Sequence, residues 1–490
     1  MTNASPFVLA VDAGTSSLKV VLYDVAGNIL DSAVGRYGYQ SPHPDWAEAD
    51  PEEWWAAFCA AMDELRRNGW NLKDCRALAV TGQMHTAVLL DEDGKPLPPT
   101  ILWLDRRAAQ ETAELQARFN LLPYQLNSTY TLPKLFWLVR NRPEIIAQAR
   151  HLLWPKDYLR FRLTGRILTD FTEAGGAALL DWERLAWAPE RLERIGIDPG
   201  ILPPLCKPED DGGPLLPEMA RRFGLSVDLK VVVGAGDVLA LITGAPPATG
   251  RVTCSFGSSS MVFYPLLEGQ KVEDPQGRLY VYPLLPYPLL GGVSSTTGAA
   301  LHWAWQTLYS SEISFDQAAT LALETPPGAG GLFFLPFLSG ERSPYWSDTL
   351  RGSFCGISLT HTREGMLRSV MEGVAFSLRA LLEIYRELNI RLDEIALAGG
   401  GAVTPGMPQI ISDVCQLPVG LYSGQETVTR ALYAYACMAL GQDADFGAAL
   451  LRTFGSCESV SPRLELREIY DRLFERYQRL SDFTSRLFAE

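Results

Sequence analysis

FVLAVDAGTSSLKVVLYD, residues 7–24, is the stretch that decides the fold. Residues 7–11 are an apolar run too short for a helix. They end at Asp12 in a small polar turn, 13–17, before a second apolar run at 18–23, so the stretch predicts strand, tight loop, strand. Gly14 has no side chain to hold backbone N–H groups away from an anion, and the hydroxyls of Thr15, Ser16 and Ser17 are donors for phosphate-type oxygens. Lys19 adds a positive charge beside them. Asp12 is out of place next to a phosphate unless a cation lies between the two. The loop therefore suits a nucleotide carried with Mg2+; the alternative is a hairpin whose hydroxyls face water.

The same layout recurs at residues 251–264, RVTCSFGSSSMVFY, where Gly257 with Ser258, Ser259 and Ser260 echoes Gly14 with Thr15, Ser16 and Ser17. Two such hairpins near the starts of two halves predict a duplicated domain, 1–247 and 248–490, with a cleft that holds a phosphate chain from both sides.

Length and composition allow this. A chain of 490 residues with 47% apolar content fills two cores. Its formal charge of −14 and the lack of any Lys/Arg cluster oppose binding to nucleic acid or anionic lipid, which points to small-molecule partners. The 8 cysteines are scattered with no CxxC pair and no histidine at metal-ligand spacing, as expected of core residues in a reducing cytosol. The first apolar run is broken by Asp12 and follows no basic region, so neither a signal peptide nor a membrane span is expected, and a cytoplasmic enzyme is.

Along the chain, Ala26-Gly27-Asn28 turns into a third strand, completing an antiparallel meander. Asp50 as cap, Pro51 and Glu53 start a helix that Asn68-Gly69 ends, with Trp54, Trp55, Phe58, Met62 and Leu65 toward the core. Residues 76–81 predict a buried strand with Gly82-Gln83-Met84-His85 at its end, where open α/β sheets carry ligand loops. His85 is either a sugar-hydroxyl partner or a core histidine satisfied by backbone. In Trp103-Leu104-Asp105-Arg106-Arg107, Asp105 either caps a helix starting there or accepts from substrate hydroxyls beside a tryptophan wall. Residues 168–217 predict loops and short helices over the cleft. A short strand at 230–233 runs into Gly234-Ala235-Gly236-Asp237 and a helix at 238–243. Asp237 is either an ordinary cap or a carboxylate facing the cleft. Gly291-Gly292 leads to a polar helix start at 294–297, a long helix is expected at 363–388, and a strand at 394–398 ends in Gly399-Gly400-Gly401, which lets a flat ring lie against backbone.

With both hairpins, GAGD and AGGGA in this order, and with SPHPDWAEADPEEWW, GQMH, PKDYLRFRLTG and FLSGERSP, the chain resembles the FGGY family of carbohydrate kinases over almost its whole length. The resemblance implies an α/β fold of two ribonuclease-H-like (actin-like ATPase) domains flanking a central cleft, and transfer of the γ-phosphoryl of ATP to a sugar hydroxyl. It implies Asp237 as general base, Asp12 and Asp237 at Mg2+, Gly14, Thr15, Ser16 and Lys19 in the first phosphate loop, and Gly257, Ser258 and Ser259 in the second. Gln83, Met84, His85, Trp103, Asp105 and Asp237 would line the sugar pocket, and Gly400 and Gly401 would meet the adenosine. The implied acceptor is D-xylulose, with D-gluconate, ribulose or a polyol as alternatives. A homodimer is compatible with this reading. Departures from the family pattern are Thr86 for a glycine, Leu104 for an amide, Ser260 for a glycine, Val238 for an asparagine and Tyr433 for a small glycine. A chaperone or filament subunit on the same domains is the reading from another class, as is a sugar-binding regulator without catalysis.

Overall fold

The computed structural model describes residues 6–121, 125–238, 245–267, 269–282, 287–310, 312–347, 349–422, 427–454 and 457–488. Its described residues form two compact units, one from within 1–243 and 426–453, the other from within 244–282, 287–425 and 454–490.

The first unit is built on the meander read from the sequence. Strands β1 (Phe7–Ala13), β2 (Ser17–Asp24) and β3 (Ile29–Arg36) are antiparallel, and β4 (Cys75–Gly82), β5 (Asp211–Pro214) and β6 (Lys230–Val232) extend the sheet in the order β5-β6-β4-β1-β2-β3. β1 runs parallel to β4, and β4 parallel to β6. Nearly every residue of β1 is buried, as for a strand covered on both faces. Helix α1 (Pro51–Arg67) begins as its sequence signals require, with the Asp50 side chain accepting from the Glu52 N–H and Asn68 closing the far end. Trp54, Phe58, Met62 and Leu65 enter the core, while Trp55 is half-buried at its rim, stacked on Phe58. Helices α2 (Pro155–Thr164) and α3 (Phe171–Gly176) follow.

The second unit repeats the order. Strands β7 (Arg251–Phe256), β8 (Ser260–Pro265), β9 (Tyr280–Tyr282), β10 (Leu289–Ser294), β11 (Glu394–Gly399), β12 (Val419–Leu421) and β13 (Glu458–Val460) form a sheet in the order β9-β10-β8-β7-β11-β12-β13. Here β10-β8-β7 is antiparallel and β7-β11-β12 parallel, matching β3-β2-β1 and β1-β4-β6, and each sheet continues beyond its last parallel strand with an antiparallel one. Helices α4 (Gly298–Tyr309) and α5 (Arg363–Glu387) complete the framework used below.

Three details differ from the sequence reading, and one further expectation falls largely outside the described residues. The helix expected at Asp105 starts at Ala109, and Gly291-Gly292 lie inside β10, where the Cβ of any other residue at Gly291 would meet the Val262 carbonyl. The helix expected at 238–243 lies, from 239 on, outside the described residues. The third concerns helix Thr427–Ala439. It belongs to the first unit, packed on β1 and β4, although it follows the strands of the second. Its residues 431–437 are buried on every side, so it needs cover all round, which the first sheet and helix Phe446–Leu451 provide.

Tyr433, conspicuous in the sequence for its size, sits in this packing. Its hydroxyl donates to the Val25 carbonyl at 3.0 Å and its ring lies 5.3 Å from that of Tyr23. We expect Tyr433→Phe to lower unfolding stability in urea by about 1 kcal/mol while leaving the KM for nucleotide unchanged. A changed nucleotide KM with parental stability would assign Tyr433 to the site instead.

No helix among the described residues is long and apolar enough to cross a membrane.

Candidate active site

In the first unit the turn between β1 and β2 is closed by the Gly14 N–H donating to the Ser17 carbonyl at 3.0 Å, and Asp12 pairs in register with Lys19 across the two strands. The Gly14 carbonyl is taken from behind by the Tyr37 hydroxyl at 2.5 Å and the Gln83 amide at 3.4 Å. Ser16 is exposed. The Trp103 indole N–H donates to Thr15 Oγ1 at 2.9 Å, which leaves the threonine hydrogen available to a ligand oxygen. Trp103 itself is 37% exposed, so its ring remains open to a ligand. Gln83, expected among the sugar ligands, is 1% exposed and serves as a support of the first loop.

Asp237 arrives at the same sheet edge through its glycines. Gly234 has φ +72°, and a Cβ there would sit 1.9 Å from the Val80 carbonyl; a Cβ on Gly236 would sit 2.4 Å from Met84 Cγ. Only glycines let the segment lie this close to β4 and Met84. Burial and, second, the Asp12 carboxylate push the Asp237 carboxyl up to about 7, against the pull of backbone N–H groups. A carboxyl poised there accepts a proton near neutral pH.

His85, at φ 65°, places Nδ1 2.6 Å from the Gly176 carbonyl. A carbonyl only accepts, so Nδ1 carries the hydrogen and Nε2 keeps its lone pair. Burial lowers the imidazole to about 4, with the Gly176 bond opposing and Lys134 adding to the shift, so His85 is neutral at physiological pH. Lys134 donates to the carbonyls of His85 at 3.3 Å and Thr129 at 2.6 Å, and burial holds its ammonium well below the usual lysine range.

Asp105 is buried, and its carboxylate is taken up within the protein. It accepts from the Ala47 N–H at 2.6 Å and from Arg107, whose guanidinium reaches it at 2.7 Å, pairs with Glu48 at 2.8 Å and stacks 3.7 Å from the Trp46 ring. The Arg107 N–H also turns back onto Asp105, a local bond that a residue two positions on makes readily. Asp105 thus holds the 46–48 segment and Arg107 in place.

In the second unit the matching loop is fixed to a helix start. The N–H groups of Gly298 and of Thr297 donate to the carbonyls of Gly257 and Ser258, each at 3.0 Å. Gly257 and Ser258 are exposed and Ser259 half-buried. Gly399 has φ +81°, and Gly401 lies flat on the Phe256 ring, where a Cβ would be 2.4 Å from the ring carbon Cγ. Gly257, Ser258 and Gly400 then line one cavity of about 580 Å³ with Phe256, Gly298, His302, Trp303, Gln306, Phe315 and Thr404. That volume suits a nucleoside-sized ligand, with aromatic walls and a few polar groups. His302 and Gln306 were not singled out from the sequence; their spacing of four puts them on one face of α4, and only the cavity distinguishes that face from a solvated one.

Comparison with known proteins also divides the chain into an N-terminal and a C-terminal part. The FGGY family of carbohydrate kinases, N-terminal domain, matches residues 7–244, and the C-terminal domain of the same family matches residues 252–439. The chain belongs to the FGGY family of carbohydrate kinases. Among relatives of this FGGY kinase, the xylulose kinase of Lactococcus lactis is 32% identical over 467 residues, which are 88% of this chain and 91% of the relative. A xyloylose kinase from Brucella ovis superimposes with a TM-score of 0.88 at 30% identity, covering 98% of this chain and 100% of that one. A gluconate kinase from Lactobacillus acidophilus does so with a TM-score of 0.89 at 26% identity, covering 99% of each. These neighbours share the actin-like ATPase fold that the family resemblance implies, and the enzyme is a sugar kinase.

Among the described residues of the FGGY kinase, no three His, Cys, Asp or Glu side chains gather as a self-contained metal site. Asp12 and Asp237 nevertheless raise each other's cost of ionisation, which a cation relieves. Magnesium commonly uses one or two carboxylates and completes its shell with phosphates and water, so this pair fits it.

Proposed function

We propose that this FGGY kinase transfers the γ-phosphoryl group of ATP to the terminal hydroxyl of D-xylulose, giving D-xylulose 5-phosphate. The observation that carries the chemistry is Asp237, a carboxyl poised at about 7 by burial and Asp12, beside the Met84–His85 turn. Asp237 takes the hydroxyl proton as the oxygen attacks. His85 accepts from a sugar hydroxyl through Nε2, Met84 shapes the floor, and the Trp103 ring forms a wall whose indole N–H reports to Thr15. Gly14, Thr15, Ser16 and Lys19 are the phosphate-binding residues of the first unit, and Gly257, Ser258 and Ser259 those of the second. Gly400 borders the adenosine in the cavity that His302 and Gln306 line, and Gly401 packs on the Phe256 ring that forms part of its wall. Asp12 and Asp237 would hold Mg2+, which supplies charge neutralisation at the phosphates when bound.

D-xylulose is preferred to D-gluconate because the pocket is short of positive charge. His85 is neutral, and the buried Lys134 is spent on two carbonyls. A sugar-acid carboxylate placed there would rely on Lys134, which is buried and already donates to two carbonyls, whereas a neutral ketose needs no cation. We expect kcat/KM for D-xylulose to exceed that for D-gluconate by about 100-fold, measured by coupled ADP release across pentuloses, pentitols and aldonic acids. A preference for gluconate would reverse the substrate assignment. ATP consumption with no sugar in the panel accepted would overturn it altogether.

A further inference from the structure

Behind Asp237 lies a row of buried polar side chains that the chemistry above does not use. Lys156 Nζ pairs with Asp170 Oδ1 at 2.9 Å and with Asp157 Oδ1 at 2.7 Å. Asp170 Oδ2 accepts from the Thr172 hydroxyl at 2.6 Å and from the Thr172 N–H at 2.8 Å. Thr172 Oγ1 in turn accepts from the Gly236 N–H at 2.7 Å. Lys156, Asp157, Asp170 and Thr172 are all essentially without solvent exposure.

The directions of these bonds matter. The single hydroxyl hydrogen of Thr172 is committed to Asp170, so the oxygen lone pair faces Gly236, and the arrangement has one sense only. Gly236 directly precedes Asp237, so its N–H ties down the backbone that carries the carboxylate. The hydroxyl that holds the Gly236 backbone is itself held by charge-assisted bonds to Asp170, and a buried chain of this kind fixes a backbone to a fraction of an ångström.

The other end of the same short helix, α3, sets the sugar side. The Gly176 carbonyl fixes the His85 tautomer. The missing Gly176 side chain makes room for Met84, since a Cβ there would lie 2.5 Å from Met84 Cε and 3.1 Å from the His85 ring. Six residues therefore carry, at one end, the anchor of the carboxylate segment and, at the other, the anchor of the hydroxyl-reading histidine.

We infer that Thr172 is a positioning residue for Asp237, and that α3 is a splint fixing the carboxylate relative to the sugar-reading Met84–His85 turn. This rests on the proposed role of Asp237. The two ends of the splint then have separable effects: Thr172 governs turnover, because it sets where the proton acceptor stands, and Gly176 governs sugar affinity.

The test uses the full-length enzyme with ATP and the accepted sugar. Thr172→Val, equal in size but without the hydroxyl, is expected to lower kcat by about 100-fold with the sugar KM nearly unchanged. Thr172→Ser, which restores the oxygen, is expected to return most of the loss. Gly176→Ala is expected to raise the sugar KM by about tenfold with a smaller change in kcat. Thermal unfolding shows whether Thr172→Val has folded, and Thr172→Ala replaces it where it has not. The inference is overturned if the hydroxyl-free variant turns over like the parent, if Thr172→Ser is as slow as that variant, or if the Thr172 and Gly176 variants move kcat and KM in the same way. Asp237→Asn separates the two layers. Parental activity in Asp237→Asn removes the base assignment itself, whereas an inactive Asp237→Asn beside a fully active Thr172→Val removes only the splint.

Discussion

Asp237→Asn is expected to lower kcat for sugar phosphorylation by about a thousandfold, with the enzyme still folded and still binding nucleotide. The amide keeps the size and most of the hydrogen bonds of the carboxylate but accepts no proton, and phosphoryl transfer asks little more of the protein than positioning, charge neutralisation and a proton acceptor. The pH dependence follows from the direction of the shift. Burial and Asp12 raise the Asp237 carboxyl to about 7, so the protonated, inactive form prevails below that pH and the carboxylate above it. In the parent, kcat/KM for MgATP, whose pH dependence reports the free enzyme, should therefore rise through about pH 7 and level off. Asp12→Asn removes one of the two causes of the raised value, so its acid limb should move to lower pH, whatever it does to the phosphates. Steady-state kinetics between pH 5.5 and 9, roughly the span that brackets a group titrating near 7, measures all three. An acid limb that persists in Asp237→Asn would show that another group accepts the proton.

How far the sequence reaches depends on the length of the contacts involved. The two hairpins were legible because strand, glycine and hydroxyls are neighbours in the chain, and the structure pairs β1 with β2 and β7 with β8 as that layout requires. Asp237 stood out through its glycines, whose need for close approach to Val80 and Met84 is a property of the backbone. Thr172 gave no such signal. It reaches Gly236 across 64 positions, and nothing in FTEAGG distinguishes a hydroxyl that holds a backbone from one that faces water. Gln83 and Asp105 show the converse. Both are polar residues at a strand end, as ligand residues often are, and side-chain direction turned one toward the Gly14 carbonyl and the other toward Arg107. The place of helix Thr427–Ala439 on the first sheet depends on which apolar surface remains uncovered, a question of the whole fold.

The second large effect belongs to the nucleotide. Gly298 opens α4 with its N–H on the Gly257 carbonyl at 3.0 Å, and a Cβ built on it would stand 2.4 Å from that same oxygen. The obstruction is backbone on both sides, so no rotamer relieves it. Gly298→Ala must push the second loop or the helix start aside, carrying Ser258 and the lip of the 580 Å³ cavity with it. We expect kcat/KM for ATP to fall by about 100-fold, and ADP binding measured by calorimetry to weaken in parallel. The Met84–His85 turn, Trp103 and Asp237 all lie in the first compact unit, so sugar binding without nucleotide should stay at the parental value. Unaltered ADP affinity in a folded Gly298→Ala would mean that the cavity beside Ser258 and Gly400 is not where the nucleoside lies. Loss of sugar and nucleotide binding together would mean that the substitution had disturbed more than the loop it touches. The split between the two ligands is what the repeated strand order predicts, because each hairpin is held by its own sheet and, among the described residues, the second alone has a helix start pressed against its carbonyls.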